Sequence, residues 1–416
     1  MQHALTVIAK IKPDRAAELE GILDAIGTDI RGNAYLRLED IETLQFGRWV
    51  MIPNQTTGQM EHLLFTSNYD GSLEKHLNEF MAKASDAMDS IWGCCEGYPA
   101  SSTPASFREF IQKNTVRNHA FYIGDRYETL TEKKAYIHFR DELEEFFNLP
   151  EVARVSQARL KDKLNDKPQD ALKAFDDIPA AKQFYDDRLK PAMDQLPKSR
   201  RAAKPNLFTW ILLVLDFIWT ASLYLIWYPL TNLFTGSEPA LNLNLADLVR
   251  QSGITDIEDV VTQNQLTVLS RVKPGIFVLL KLKIVLALIH IVAKYFQNQG
   301  SLGGIATIHF ARWAIIDKGR WLLFTSNYDG SWDSYIGDFV DKAASGMDLI
   351  WRSAPRYPAQ GSKDIEAFKH IIRVNQVRTQ VFYSSVPGCT MFNLLNNTAI
   401  ANQLHDDRAG DWLRRL

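Results

Sequence analysis

The sequence predicts an α+β chain: two copies of one βαββαβ unit, joined by a helical, membrane-seeking insert. Three observations carry that prediction. The string LLFTSNYDGS stands at residues 63–72 and again at 322–331, the segments flanking it match in the same order, and residues 207–230 between the copies are almost wholly apolar. Self-similarity at such long spacing marks a duplicated structural unit.

In the first copy LTVIAKIKP (5–13) alternates as a strand does. Lys12-Pro13-Asp14 then opens a helix with Ala17, Leu19, Ile22, Leu23 and Ile26 on one stripe. Residues 44–52 and 62–69 flank a polar, Gly-containing connection and read as a hairpin. Asp70-Gly71-Ser72 ends that hairpin, and Ser72 or Asp70 caps a helix whose Leu77, Phe80, Met81, Ala84, Met88 and Ile91 follow helical spacing. After Tyr98-Pro99 and a short helix near 107–112, a strand at 116–123 closes the unit.

The second copy repeats this order. LTVLSRVKP (266–274) answers the first strand, and Phe310-Ala311-Arg312-Trp313 answers Phe46-Gly47-Arg48-Trp49. Ile350-Trp351 answers Ile91-Trp92, Tyr357-Pro358 answers Tyr98-Pro99, and Val377-Arg378 with Phe382-Tyr383 answers Val116-Arg117 with Phe121-Tyr122. A βαββαβ order is the ferredoxin-like arrangement, an antiparallel four-stranded sheet with helices on one face. Two bare faces can bury each other, so the expectation is a single pseudo-dimeric α+β barrel. The organisation read from the chain is a first ferredoxin-like repeat at 1–129, a charged helical arm at 130–204 and an apolar membrane-associated segment at 205–235. A linker at 236–262, a second repeat at 263–385 and a helical tail at 386–416 follow.

A formal charge of −2 from 47 basic and 49 acidic side chains gives no global pull towards nucleic acid, and no nucleic-acid partner is expected. The three cysteines, Cys94, Cys95 and Cys389, have no zinc-site spacing; the adjacent pair reads as packing residues in a reduced compartment. The opening MQHALTVIAKIKPDR lacks the pattern of a secretory signal.

The insert is basic at Lys198, Arg200, Arg201 and Lys204, and then apolar with Trp210, Trp219, Tyr224, Trp227 and Tyr228, which suits an interfacial anchor. As a helix 207–230 would reach about 36 Å, enough for a hydrocarbon core of ~30 Å. A single crossing would nevertheless separate the two copies, and Asp216 opposes a span. Residues 276–296 are also very apolar, with Lys283, His290 and Lys294 on one narrow face and Lys281 opposite, the pattern of a basic helix at a surface. Monotopic attachment to the cytoplasmic face of a membrane is the expectation, with membrane lipid as partner.

No phosphate loop, nucleophile elbow or metalloprotease helix is present. Chemistry therefore rests on repeated polar residues: Arg48 and Arg312, Asp70 and Asp329, and Arg117 and Arg378. Arg48 shares a strand face with Phe46 and Leu44, so it points inward, where Asp70 is the nearest candidate counter-charge. In a functional reading the aspartates act as acid/base and the arginines as charge stabilisers. His309 stands where the first copy has Gln45, and His119 where the second has Gln380; either could serve as an axial haem ligand.

The tandem pattern resembles the dimeric α/β-barrel superfamily, which includes dye-decolourising peroxidases, chlorite dismutases and small cofactor-free monooxygenases. Ser67-Asn68-Tyr69-Asp70-Gly71 is similar to the Gly-x-x-Asp-Gly motif of the dye-decolourising peroxidases. That resemblance implies Asp70 or Asp329 as a distal acid with Arg312 or Arg378 beside it. Ser replaces the first Gly in both copies, and no proximal-His segment matches. Three functions stand side by side: a membrane-surface protein binding an apolar small molecule or lipid, an oxidoreductase of peroxidase or monooxygenase type with haem as its cofactor, and a scaffold recruiting a protein partner through its helical arm.

Overall fold

Strand alternation sorts side chains to the two faces of a sheet, and that alternation organises the larger part of this chain. The computed structural model describes residues 2–54, 57–161, 163, 166–197, 261–297, 300–407 and 410–415. Trp210, Trp219, Trp227 and the basic run before them lie outside the described residues. The strands are β1 (Gln2–Lys10), β2 (Leu44–Pro53), β3 (Met60–Asp70), β4 (Ala120–Ile123), β5 (Gln263–Arg271), β6 (Ile308–Ile316), β7 (Trp321–Asp329) and β8 (Val381–Ser384). They form two four-stranded antiparallel sheets, β1-β3-β2-β8 and β4-β6-β7-β5, so the chain is α+β.

The fourth strands are exchanged. The sequence pattern leads one to expect residues 116–123 to close the first copy, yet β4 pairs with β6 from Ala120–Trp313 to Ile123–Phe310. Reciprocally, β8 pairs with β2 from Phe46–Ser384 to Trp49–Val381. The residues just upstream stay with their own copy: the Ile8 amide donates to Asn114 O at 3.0 Å and Val116 to Thr6 O at 2.8 Å, matched by Leu269 to Asn375 O at 2.8 Å and Val377 to Thr267 O at 2.9 Å. Residues 114–123 and 375–384 therefore cross from one sheet to the other, and backbone hydrogen bonds continue through both seams. The physical reason is that periodicity specifies a strand's buried face and not the edge it joins.

Each sheet covers one face with helices. Leu5, Val7, Trp49, Leu63 and Phe65 pack against Leu19, Leu23, Leu77, Phe80 and Ile91 from the helices Ala16–Thr28 and Leu73–Trp92. In the other sheet Val268, Trp313 and Phe324 meet Leu282, Leu286, Ile336 and Phe368. The repeated turn after β3 and β7 works the same way twice. Gly71 and Gly330 both sit at φ +82°, a conformation that glycine adopts without strain, and Ser72 and Ser331 cap the following helices through Lys75 N and Ser334 N. Cys94 and Cys95 are buried in the first core, where burial pushes the Cys95 thiol up to about 12.

Close approach marks the exchange at one point. A Cβ on Gly27 would lie 1.9 Å from Gln380 O, so the end of the helix Ala16–Thr28 runs against the crossing segment. Gly27→Val is expected to destabilise the protein by about 2 kcal/mol through overpacking, read as a lower urea midpoint. An unchanged midpoint would mean that the crossing segment does not lie there.

The helix Ile276–Tyr295 has a mean hydropathy of 2.5 over its most apolar window, 44% of which is buried. Val278, Leu282, Val285, Leu286 and Ala293 face the second core, while Ile276, Leu280, Lys283 and Lys294 are exposed. Lys281 is half-buried, and burial lowers its pKa to about 8, helped by the charges of Arg352 and Lys273.

Residues 127–203 and 389–416 make a second compact unit. Its core joins Tyr136, Phe139, Leu143 and Phe146 of the helix Leu130–Asn148 to Ile400, Ala401 and Leu404 of the helix Met391–His405, with Trp412 fully buried. The arm and tail, read as separate segments in the sequence, thus share a core. Thr129 and Glu132 form a reciprocal capping box at the first of these helices, and Arg188 bridges Glu142 and Glu145.

Candidate functional site

Side chains on the faces of β1–β3 and β5–β7 away from their helices meet in layers in the space between the two sheets. An apolar layer joins Val50, Ile52 and Leu64 to Leu269, Ala314, Leu323 and Val377. The next layer is polar and holds Arg48 and Arg312, both buried. Beyond it Phe46, Ile123 and Phe310 cluster, and at the far end stand Gln45, Asp70, His309 and Asp329.

The two arginines reach across reciprocally. Arg48 donates to Leu266 O at 2.8 Å, Thr267 Oγ1 at 3.0 Å, Ser326 O at 2.8 Å and Asn327 Oδ1, all from the second copy. Arg312 donates to Leu5 O at 2.6 Å, Thr6 Oγ1 at 3.3 Å, Ser67 O at 3.3 Å and Asn68 Oδ1 at 2.6 Å, all from the first. The inward orientation read from the strand pattern holds, and the counter-charge read for it does not: carbonyl and amide oxygens take the place of Asp70. Burial pulls both guanidiniums down to about 9, and for Arg48 the Arg312 charge pulls the same way; both stay cationic at pH 7.

Asp70 accepts instead from Gln45 Nε2 at 2.8 Å, and Asp329 Oδ1 lies 2.7 Å from His309 Nε2. Gln45 and His309 sit at matching register irregularities in β2 and β6, so the two pairs are one design with different partners. The His309 ring is 1% exposed and packs 5.4 Å from the Phe46 ring, leaving no room for a macrocycle at its face. His119 Nδ1 accepts the Ile315 amide at 3.1 Å, and burial lowers its pKa with help from Arg117 and Lys283. Arg378 is exposed and pairs with Asp24 at 3.1 Å, and Arg117 is exposed as well. The structure therefore brings Arg48 and Arg312 together with Asn68 and Asn327, and leaves Arg378 and His119 apart from them. Among the described residues no group of three His, Cys, Asp or Glu side chains could hold a metal ion.

A cavity of about 790 Å³ opens at the opposite end of the inter-sheet space, and Arg48, Arg312, Arg378, Asp70, Asp329, His309 and His119 do not line it. Ile8, Ile52, Val116, Leu269 and Ile316 form its floor against the apolar layer. Its walls carry Lys10, Glu61 and His62 from the first copy and Arg271, Asp317, Arg320 and Trp321 from the second. Several of these charges are already matched: Lys10 pairs with Glu96 at 2.9 Å, Arg320 with Asp317 at 2.7 Å, and Glu61 accepts from Asn54 at 3.1 Å. A concave apolar floor with a few convergent polar groups is the usual form of a small-molecule site. The signal for it was present in the repeat, because Ile8 and Lys10 match Leu269 and Arg271. Neither pair is of a catalytic residue type, so strand patterning alone does not mark the site.

Compared with known proteins, the chain matches no family model, no curated protein and no solved structure.

Proposed function

We propose that the two copies are ferredoxin-like units closed by strand exchange into a pseudo-dimeric α+β barrel, which binds an apolar or amphipathic small molecule at a membrane surface. The observation that carries this reading is the cavity: about 790 Å³ over a floor of Ile8, Val116, Leu269 and Ile316. A volume in this range suits a ligand of drug or lipid-fragment size. The residues first considered for catalysis do not support chemistry, since Arg48, Arg312, Asp70 and Asp329 are engaged in buried hydrogen bonds. Neither His309 nor His119 fits an axial haem role, since the His309 ring packs on Phe46 and His119 Nδ1 takes the Ile315 amide.

Attachment rests on the helix Ile276–Tyr295. One side is built into a protein core, which disfavours a crossing, and the other exposes Ile276 and Leu280 beside Lys283, a composition suited to a lipid surface. Its test is flotation of the full-length protein with anionic vesicles, expected to carry the protein upward; a protein that stays at the bottom of the gradient would count against attachment.

Binding is tested by displacement of an environment-sensitive apolar dye from the purified protein. Ile8→Trp fills the cavity from a partly exposed position and is expected to weaken dye binding at least about tenfold, ~1.4 kcal/mol, with the melting temperature held. Dye binding unaffected by Ile8→Trp would remove the cavity as the site.

A further inference from the structure

The charges around the cavity mouth are unequally matched. Lys10, Arg271 and Arg320 stand on its walls with Glu61 and Asp317. Lys10 and Arg320 already hold acids, whereas Arg271, among the described residues, makes no ion pair or side-chain hydrogen bond. Arg271 is exposed at the end of β5, in register with Trp321 and two residues along the same strand face from Leu269 of the floor. A guanidinium with an aromatic ring beside it and an apolar slope beneath it matches a molecule with an anionic head and a hydrocarbon tail.

We infer that the cavity selects a singly charged, carboxylate-headed amphiphile, its head on Arg271 and its chain running over Leu269, Ile8 and Val116. This rests on the binding reading above and narrows it to a ligand class. The single charge follows from the walls: one uncommitted cation neutralises one carboxylate, while a second negative charge would face Glu61 and Asp317.

The test is calorimetric titration of the full-length protein with dodecanoate, dodecanol and dodecyl phosphate, below their aggregation concentrations. Dodecanoate should bind about tenfold more tightly than dodecanol, and the phosphate no more tightly than dodecanoate. Arg271→Gln should bring dodecanoate down to the level of dodecanol while leaving dodecanol unchanged, and Arg271→Lys should recover part of the difference; matching melting temperatures control for folding. Equal binding of acid and alcohol, an Arg271→Gln variant that still discriminates, or a phosphate bound tenfold more tightly than the acid would each overturn the head-group assignment and leave the cavity reading standing. Absence of binding by all three would overturn both.

Discussion

Arg312→Ala is expected to cost about 4 kcal/mol of folding stability, read from urea midpoints at pH 7. The guanidinium is buried and satisfies Leu5 O, Thr6 Oγ1, Ser67 O and Asn68 Oδ1 at once. Its removal leaves acceptors buried among apolar side chains, each costing roughly 1–3 kcal/mol, and opens a void in the layer. Relief of repulsion with Arg48 offsets a smaller part, because both charges are screened by the oxygens around them. Arg48→Ala should behave alike, since its partners are the matching positions of the other copy. Arg312→Lys keeps the charge but not the fork of donors, and about 2 kcal/mol should be lost. A loss under ~1 kcal/mol for either alanine variant would show that the arginines do not hold the sheets together.

Stability should also fall as pH drops from about 6.5, with His76 the main cause. The imidazole is buried between Thr43, whose Oγ1 is 2.7 Å from Nδ1, and Ser67, whose Oγ is 3.0 Å from Nε2. Thr43 donates its hydroxyl proton to Glu79 at 2.8 Å, so it accepts from Nδ1–H, and Nε2 accepts from Ser67. That directional chain suits a neutral ring, and burial lowers the His76 pKa to about 3. Below pH 6.5 the unfolded chain takes up a proton that the folded chain refuses. The stability present above 6.5 is thus lost by about 1.4 kcal/mol per pH unit until the folded pKa is reached. His3, His119 and His290 are lowered too and act in the same direction. His76→Tyr places in the first copy what the second already has, where Tyr335 stacks on Tyr328 at 3.8 Å and donates to Ser326 at 2.6 Å. Between pH 7 and 5 this variant should show about one proton less uptake on unfolding; an unaltered slope would contradict the assignment to His76.

Much of this was legible in the letters of the chain. The Asp-Gly-Ser turn with its serine cap and the inward direction of Arg48 follow from local rules, and the structure has both. The destination of the fourth strands was not legible, because Val377 to Tyr383 would look the same in either sheet. Nor were the partners of Arg48: an inward charge suggests a carboxylate, but carbonyls that only the other copy can supply are invisible without the exchange. The cavity escaped for the opposite reason, since Lys10 and Arg271 end strands that look structural and carry no catalytic residue type. The arm and tail lie far apart in sequence, and nothing in either names the other as its packing partner.

The most direct test of a shared interior closed by exchanged strands is a cross-link at one seam. Tyr122 of β4 stands opposite Ala311 of β6. Tyr122→Cys with Ala311→Cys, oxidised in dilute protein and mapped by peptide mass spectrometry, should give an intramolecular disulfide joining the two copies. A chain that stays folded with both new thiols free, or that links Tyr122→Cys to a partner placed within the first copy's own sheet, would contradict the account.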